Sequence, residues 1–264
     1  MLALAFIPGL VLLFAVWKLD TVEKESPVIM LKLLGAGVVV MLIDILLRTG
    51  GLMILESTYA GTSIMLYTFI DAFIFTALIE EGGRFLALKL LTWKNPEFNY
   101  TFDAIVYSVA VSVGFLVAEN IVYIIKYGSS LRPLTLVLPV FAQVVISVFM
   151  GYYYGLAKVA ESKKEADSAK TYMIESVLVP VVIHGIYEMC IKTQSIEVMI
   201  LFSVYIVFMT VAAIVVLRNS RKADSEIPWG NTDIKEGDEF EINVTDLLHK
   251  SEKAGKEADN EGQV

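Results

Sequence analysis

The sequence predicts an all-α fold, a polytopic transmembrane helical bundle of about seven spans followed by a charged, acidic tail. Two observations predict it. Of the 264 residues 56% are hydrophobic and the mean hydropathy is +0.65, too apolar for a soluble domain of this size. The apolar residues also come in continuous runs of about 20 rather than in alternation, which excludes an outer-membrane-type barrel.

The runs are 1–17, 28–47, 65–91, 102–125, 134–157, 172–191 and 198–217. The first is short, but it has neither a basic leader nor a small-residue cleavage site before Lys18, so it reads as a retained anchor. The third is too long for one straight crossing and is expected to bend or break near Gly82-Gly83. Residues 1–217 therefore form the membrane domain, with its chemistry concentrated in 63–193. Residues 218–264 hold 12 Asp/Glu against 7 Lys/Arg and few large apolar residues, the composition of a disordered segment. Its one apolar patch, 242–248, reads as a nascent helix in preference to a docking segment. The single cysteine, Cys190, excludes an intrachain disulfide and a cysteine zinc cluster. With no basic stripe or stacking array, no nucleic-acid partner is expected.

Orientation follows from the short loops. Lys18, Lys24, Lys94, Lys158, Lys163, Lys164, Lys170, Arg218, Arg221 and Lys222 fall on one side; only Arg48, Lys126, Arg132 and Lys192 fall on the other. The positive-inside rule places the N-terminus outside the cell membrane and the tail in the cytoplasm.

The most informative residues are ionisable groups inside these runs. Each carboxylate at membrane depth costs roughly 2–4 kcal/mol even on mild insertion scales, so a function is the default reading. Glu80 and Glu81 are adjacent, and Arg84 lies one turn beyond Glu80 on the same face. A guanidinium there can hold one carboxylate ionised while the other keeps or takes a proton. The bland alternative, an ion pair that locks helices together, suits one acid and one arginine better than a glutamate pair beside a diglycine. Glu119 and Asn120 lie inside the fourth run; Asn120 suits either an oxyanion donor or interhelical glue. In the sixth run Glu188 falls one turn after His184 and can fix its tautomer, with Pro180 one turn before. His249, in the tail, is expected to be solvated.

Glu80-Glu81-x-x-Arg84, Phe115-x-x-x-Glu119 and His184-x-x-x-Glu188, in that order, resemble the PrsW-type intramembrane proteases, relatives of the CAAX prenyl endopeptidases and bacteriocin-processing membrane proteins. The text from Gly114-Phe115 to Tyr123 and the stretch Gly151-Tyr152-Tyr153-Tyr154-Gly155-Leu156-Ala157 are similar to PrsW as well. The likeness covers about 71–191. Three positions depart from the family pattern: Arg84 stands where a Lys is usual, Glu188 where an Asp is usual, and Gln143 near a frequent His. Arginine cannot titrate, so at Arg84 only the charge-pairing role carries over.

The resemblance and the chemistry together imply a hydrolase, an intramembrane endopeptidase of the glutamic type without a covalent intermediate. Glu80 with His184 would activate water, Glu81 would pair with Arg84, and Glu119 would orient the water or donate to the leaving amine. Asn120 would stabilise the oxyanion, and Glu188 would hold His184. No cofactor is required: two histidines, one of them in the tail, do not make a typical zinc site, while an all-carboxylate divalent site stays open. The implied partner is a membrane-anchored protein substrate, such as an anti-sigma factor, cut near the outer face; oligomeric state stays open. The rival readings are an inactive scaffold gripping single-span partners and a proton-coupled transporter using Asp44 and Asp71. Asp44 has Arg48 one turn on, which a local ion pair explains. Catalysis requires Glu80, Glu119 and His184 to converge; a scaffold does not.

Overall fold

The computed structural model describes residues 2–59, 63–128, 133–193 and 195–227. Within them the chain forms α1 (Leu2–Leu19), α2 (Pro27–Tyr59), α3 (Ile64–Ile70), a π-helical stretch (Asp71–Leu78), α4 (Ile79–Thr92), α5 (Asp103–Tyr127), α6 (Pro133–Ser162), α7 (Ala166–Thr193) and α8 (Ile196–Lys222). Among the described residues, six helices are long and apolar enough to cross a membrane: α1, α2, α5, α6, α7 and α8. The remaining run, the expected third crossing, is built from α3, the π-helical stretch and α4 end to end, 64–92.

Its irregularity is not where the diglycine suggested. Gly82 and Gly83 lie inside α4, and the helix widens upstream over Asp71–Leu78. A π-helical turn carries an extra residue and re-phases everything after it. Here it turns Glu80, Glu81 and Arg84 inward, where all three are buried. The stretch is seated on α7 at a residue without a side chain: a Cβ at Gly185 would lie 2.4 Å from the Phe73 ring.

Helix α5 is the centre of the bundle. Its first half is Ala, Val, Ser and Gly with few large side chains, and 103–116 are buried throughout. Small residues let helix backbones approach closely where lipid offers no hydrophobic drive to association. A Cβ on Gly114 would sit 2.0 Å from the Leu34 carbonyl oxygen of α2, and one on Gly37 would sit 2.0 Å from that of Val111. Helices α2 and α5 therefore touch backbone to backbone. Gly151 of α6 meets Ala104 and Ile105 of α5 in the same way. Gly114→Ala is expected to force α2 from α5 and to destabilise the chain by about 1–3 kcal/mol, as overpacking does, read as a lowered unfolding midpoint in detergent.

Helix α8 lies on the outside, with Ala213 buried among mostly lipid-suited exposed Val, Ile, Leu and Phe. It continues past Leu217 to Lys222, and 223–227 fold back on the α4–α5 loop. There Asp224 Oδ1 accepts from Thr101 Oγ1 at 3.0 Å and from Phe102 N–H at 2.9 Å, capping the approach to α5. The expected disordered tail, including 242–248 and His249, otherwise lies outside the described residues.

Helix depths resolve an apparent mismatch. Counted from Ile64, Glu81 would lie far deeper than His184 does from the end of α7. Lys192 Nζ, however, pairs with Asp71 Oδ2 at 3.0 Å, so Asp71 is level with the last turn of α7. At 1.5 Å per residue Glu81 is then about 15 Å below that level and His184 about 12 Å. Residues 64–70 stand above it.

Candidate active site

Four elements deliver polar side chains to one buried place: α2, α4, α6 and α7. On α4, Glu81 and Arg84 are three residues apart, and Arg84 Nη2 donates to Glu81 Oε1 at 2.5 Å. Glu81 Oε1 also meets His184 Nδ1 of α7 at 2.8 Å. The other histidine nitrogen, Nε2, lies 3.2 Å from Gln143 Nε2 of α6, and Gln143 Oε1 accepts from Arg84 Nη1. The four side chains thus close a ring: Arg84, Gln143, His184, Glu81.

The ring assigns its own protons. Arg84 is a donor only, so it takes the Gln143 oxygen and turns the amide NH2 toward His184. His184 Nε2 must then accept, and Nδ1–H donates to Glu81. Both imidazole nitrogens are committed. Arg84, Glu81 and His184 are at most 2% exposed, and the Arg84 guanidinium stacks 5.0 Å from the Phe115 ring centre. One oxygen in the ring is left over. Glu81 Oε2 is buried and has no hydrogen-bond partner among the described residues.

Glu80 faces the other way around α4. Its Oε1 accepts from Arg48 Nη1 of α2 at 2.8 Å, and its Oε2 lies 3.5 Å from Arg84 Nη2. The expected partnership was Glu80 with His184; in the structure Glu81 holds both Arg84 and His184. Adjacent residues on a helix point about 100° apart, and the phase set by the π-helical stretch decides which of the two meets α7.

Glu119, half-buried on α5, feels the charges of Glu80, Arg48, Glu188 and Arg84, so it borders this cluster without a hydrogen bond in it. Asn120 points elsewhere: its amide donates to the Leu136 carbonyl of α6 at 3.2 Å and reaches that of Ala5 in α1 at 3.5 Å. Of its two expected roles, this geometry corresponds to interhelical glue. Glu188 stands 4.0 Å from His184 Nε2 and pairs instead with Lys192 at 3.2 Å, at the rim. Helix α7 runs unbroken through Pro180.

Two members were not singled out by sequence as parts of the site. Arg48 read as the partner of Asp44, yet it reaches Glu80, because α2 continues for three turns beyond the expected end at 47. Asp44 is buried with Oδ1 unpartnered, and the charges acting on it are Glu80, Arg48, Arg84 and His184. Gln143 stood out only as a departure from a family pattern. The usable signal for both was the cost of a polar or charged group at membrane depth.

A buried carboxylate–imidazole pair ringed by fixed donors, inside a bundle of membrane-crossing helices, is an arrangement that hydrolysis within a membrane could use. Residues 24–216 match the model of a family described as PrsW family intramembrane metalloprotease, and the chain belongs to that family. It is a protease of the membrane. It is 30% identical to Protease PrsW of Geobacillus kaustophilus over 181 residues, 69% of this chain and 75% of that protein. With Protease PrsW of Clostridioides difficile it shares 28% over 210 residues, 78% and 85% of the two chains. With that of Bacillus subtilis it shares 28% over 189 residues, 71% and 81%. No solved structure matches.

The family description implies a metal, and the donor set can be tested for one. Glu80 has both oxygens against guanidinium groups, Glu81 Oε1 is held by Arg84 and His184, and both His184 nitrogens are used. Among the described residues, the buried carboxylate oxygens left open here are Glu81 Oε2 and Asp44 Oδ1, two oxygens without a third ligand. A divalent cation here would have to displace Arg84 or Arg48, so the residues as arranged do not fit one.

Proposed function

We propose that the chain is a glutamic-type endopeptidase that hydrolyses a membrane-anchored protein, with Glu81 as the general base. The free, buried Glu81 Oε2 carries this reading. A water on Oε2 would give its proton to that oxygen and attack the scissile carbonyl carbon. His184, Arg84 and Gln143 hold the carboxylate in place and are positioning residues, since their polar atoms are spent on the ring. Arg48, more than a quarter exposed, is the donor available to the developing oxyanion, with Glu80 aiming it. As the tetrahedral intermediate collapses the C–N bond breaks, and Glu119 or the protonated Glu81 delivers the proton to the leaving amine. Glu188 and Lys192 border the entrance near the outer face, and Asn120 ties α5 to α1 and α6. Loop charges favour an outside N-terminus and a cytoplasmic tail.

A single-span protein, of which an anti-sigma factor is one example, is the substrate class that a buried site can reach sideways through the bilayer. Co-expression of the intact chain with single-span candidates tests the reading by product size on gels, beside Glu81→Gln at matched abundance. Cleavage by both forms alike would overturn it. Gln143→Ala is expected to lower the cleavage rate about 10- to 100-fold, because it strands donors on Arg84 and frees His184 to rotate. The same assay reads it. Asn120→Ala, by contrast, is expected to leave the rate per folded molecule within a few fold and to cost about 0.6–2 kcal/mol of stability, read by thermal unfolding.

A further inference from the structure

At the end of the bundle where α1 stops and α2 and α5 begin lies a second group of acids that the proposed reaction does not use. Asp20, Glu25 and Asp103 each offer a carboxylate oxygen within 4.8 Å of the other two, and all three are buried. Along α5 the group is about 24 Å from Glu119, at 1.5 Å per residue. We infer that Asp20, Glu25 and Asp103 form a binding site for a hard divalent cation of the calcium type, which clamps the α1–α2 loop to the start of α5.

The charges ask for a counterion, and the described residues supply none in direct contact. Among the described residues, no lysine or arginine nitrogen pairs with any of the three carboxylates. The nearest ammonium, Lys24 Nζ, is spent on the backbone carbonyls of Trp17 and Asp20 and on the Trp17 ring. Asp20 Oδ1 accepts from Val22 N–H at 3.3 Å, and its Oδ2 is buried with no hydrogen-bond partner among the described residues.

The remaining donors hold the other two acids beside Asp20. Asp103 Oδ2 takes the N–H groups of Asn99 at 3.1 Å and Tyr100 at 2.8 Å, leaving Oδ1 free of them. Tyr107 Oη donates to Glu25 Oε2, and the Glu25 and Asp103 carboxyls share a hydrogen bond whose proton a bound cation would displace to solvent. Three carboxylates and no nitrogen or sulfur donor make an all-oxygen set, which suits calcium and, less well, magnesium or manganese. Water would complete the coordination.

The test uses the full-length chain in uncharged detergent with terbium as the calcium surrogate, excited through Tyr107 and Trp17. Saturable sensitised emission that calcium displaces is expected, with calcium also raising the unfolding midpoint. Asp20→Asn should weaken both about tenfold or more. Glu25→Gln should do the same, and serves if Asp20→Asn does not fold. Glu81→Gln should leave both unchanged, so failure here and failure of the protease reading are separable. Comparison with Asp20→Asn also discounts binding to the acidic tail. The inference is overturned by absent emission, by emission that survives both loop substitutions, or by a midpoint that responds to acid and not to calcium.

Discussion

Glu81→Gln is expected to abolish proteolysis, lowering the rate by about 10²–10⁴-fold, the usual contribution of a positioned general base. The amide keeps the shape of the side chain, so the fold should survive and the loss should lie in the chemical step. Glu80→Gln should do less. Glu80 is turned toward Arg48 at 2.8 Å and has no contact with His184, so its loss frees a guanidinium without removing the base. A rate measured per folded molecule for the two glutamine variants checks this order; equal losses would mean that the two carboxylates share the work.

The second large effect falls on stability. Arg84→Leu is expected to cost about 3–5 kcal/mol, because a buried ion pair that loses one partner leaves an uncompensated charge. Arg84 is fully buried and reaches Glu81, Glu80 and Gln143 at once. Most of the chain should then fail to accumulate in the membrane, which quantitative immunoblotting of membrane fractions would show. Arg84→Lys should fold better, yet a single ammonium cannot reproduce the fork that bridges Glu81 and Gln143, so cleavage should still drop. Normal accumulation of the leucine variant would mean that water reaches the cluster and screens it.

Much of the fold was legible in the sequence because bilayer thickness dictates helix length. Runs such as 102–125 and 198–217 map almost directly onto α5 and α8. The three motifs were legible for the matching reason, that charge at membrane depth is expensive. What lay hidden depended on phase and on distant contacts. Nothing in Asp-Ala-Phe-Ile-Phe-Thr-Ala-Leu marks a π-helical stretch, yet that stretch turns Glu81 rather than Glu80 toward His184. Arg48 had a ready local partner in Asp44, and only the longer α2 carries it to Glu80. Asp20 and Glu25 read as ordinary loop acids, because Asp103 comes to them only when α5 packs against α1.

The most direct test of the central claim is single-turnover cleavage of a single-span substrate by the intact chain in liposomes. Wild type, Glu81→Gln and His184→Ala would be compared, with a chelator of transition metals present and calcium kept in excess. The account predicts that wild type cuts at an undiminished rate under chelation, that Glu81→Gln cuts nothing detectable, and that His184→Ala is crippled through the lost orientation of Glu81. Cleavage that stops with the chelator and returns with zinc, or that persists in Glu81→Gln, would contradict it.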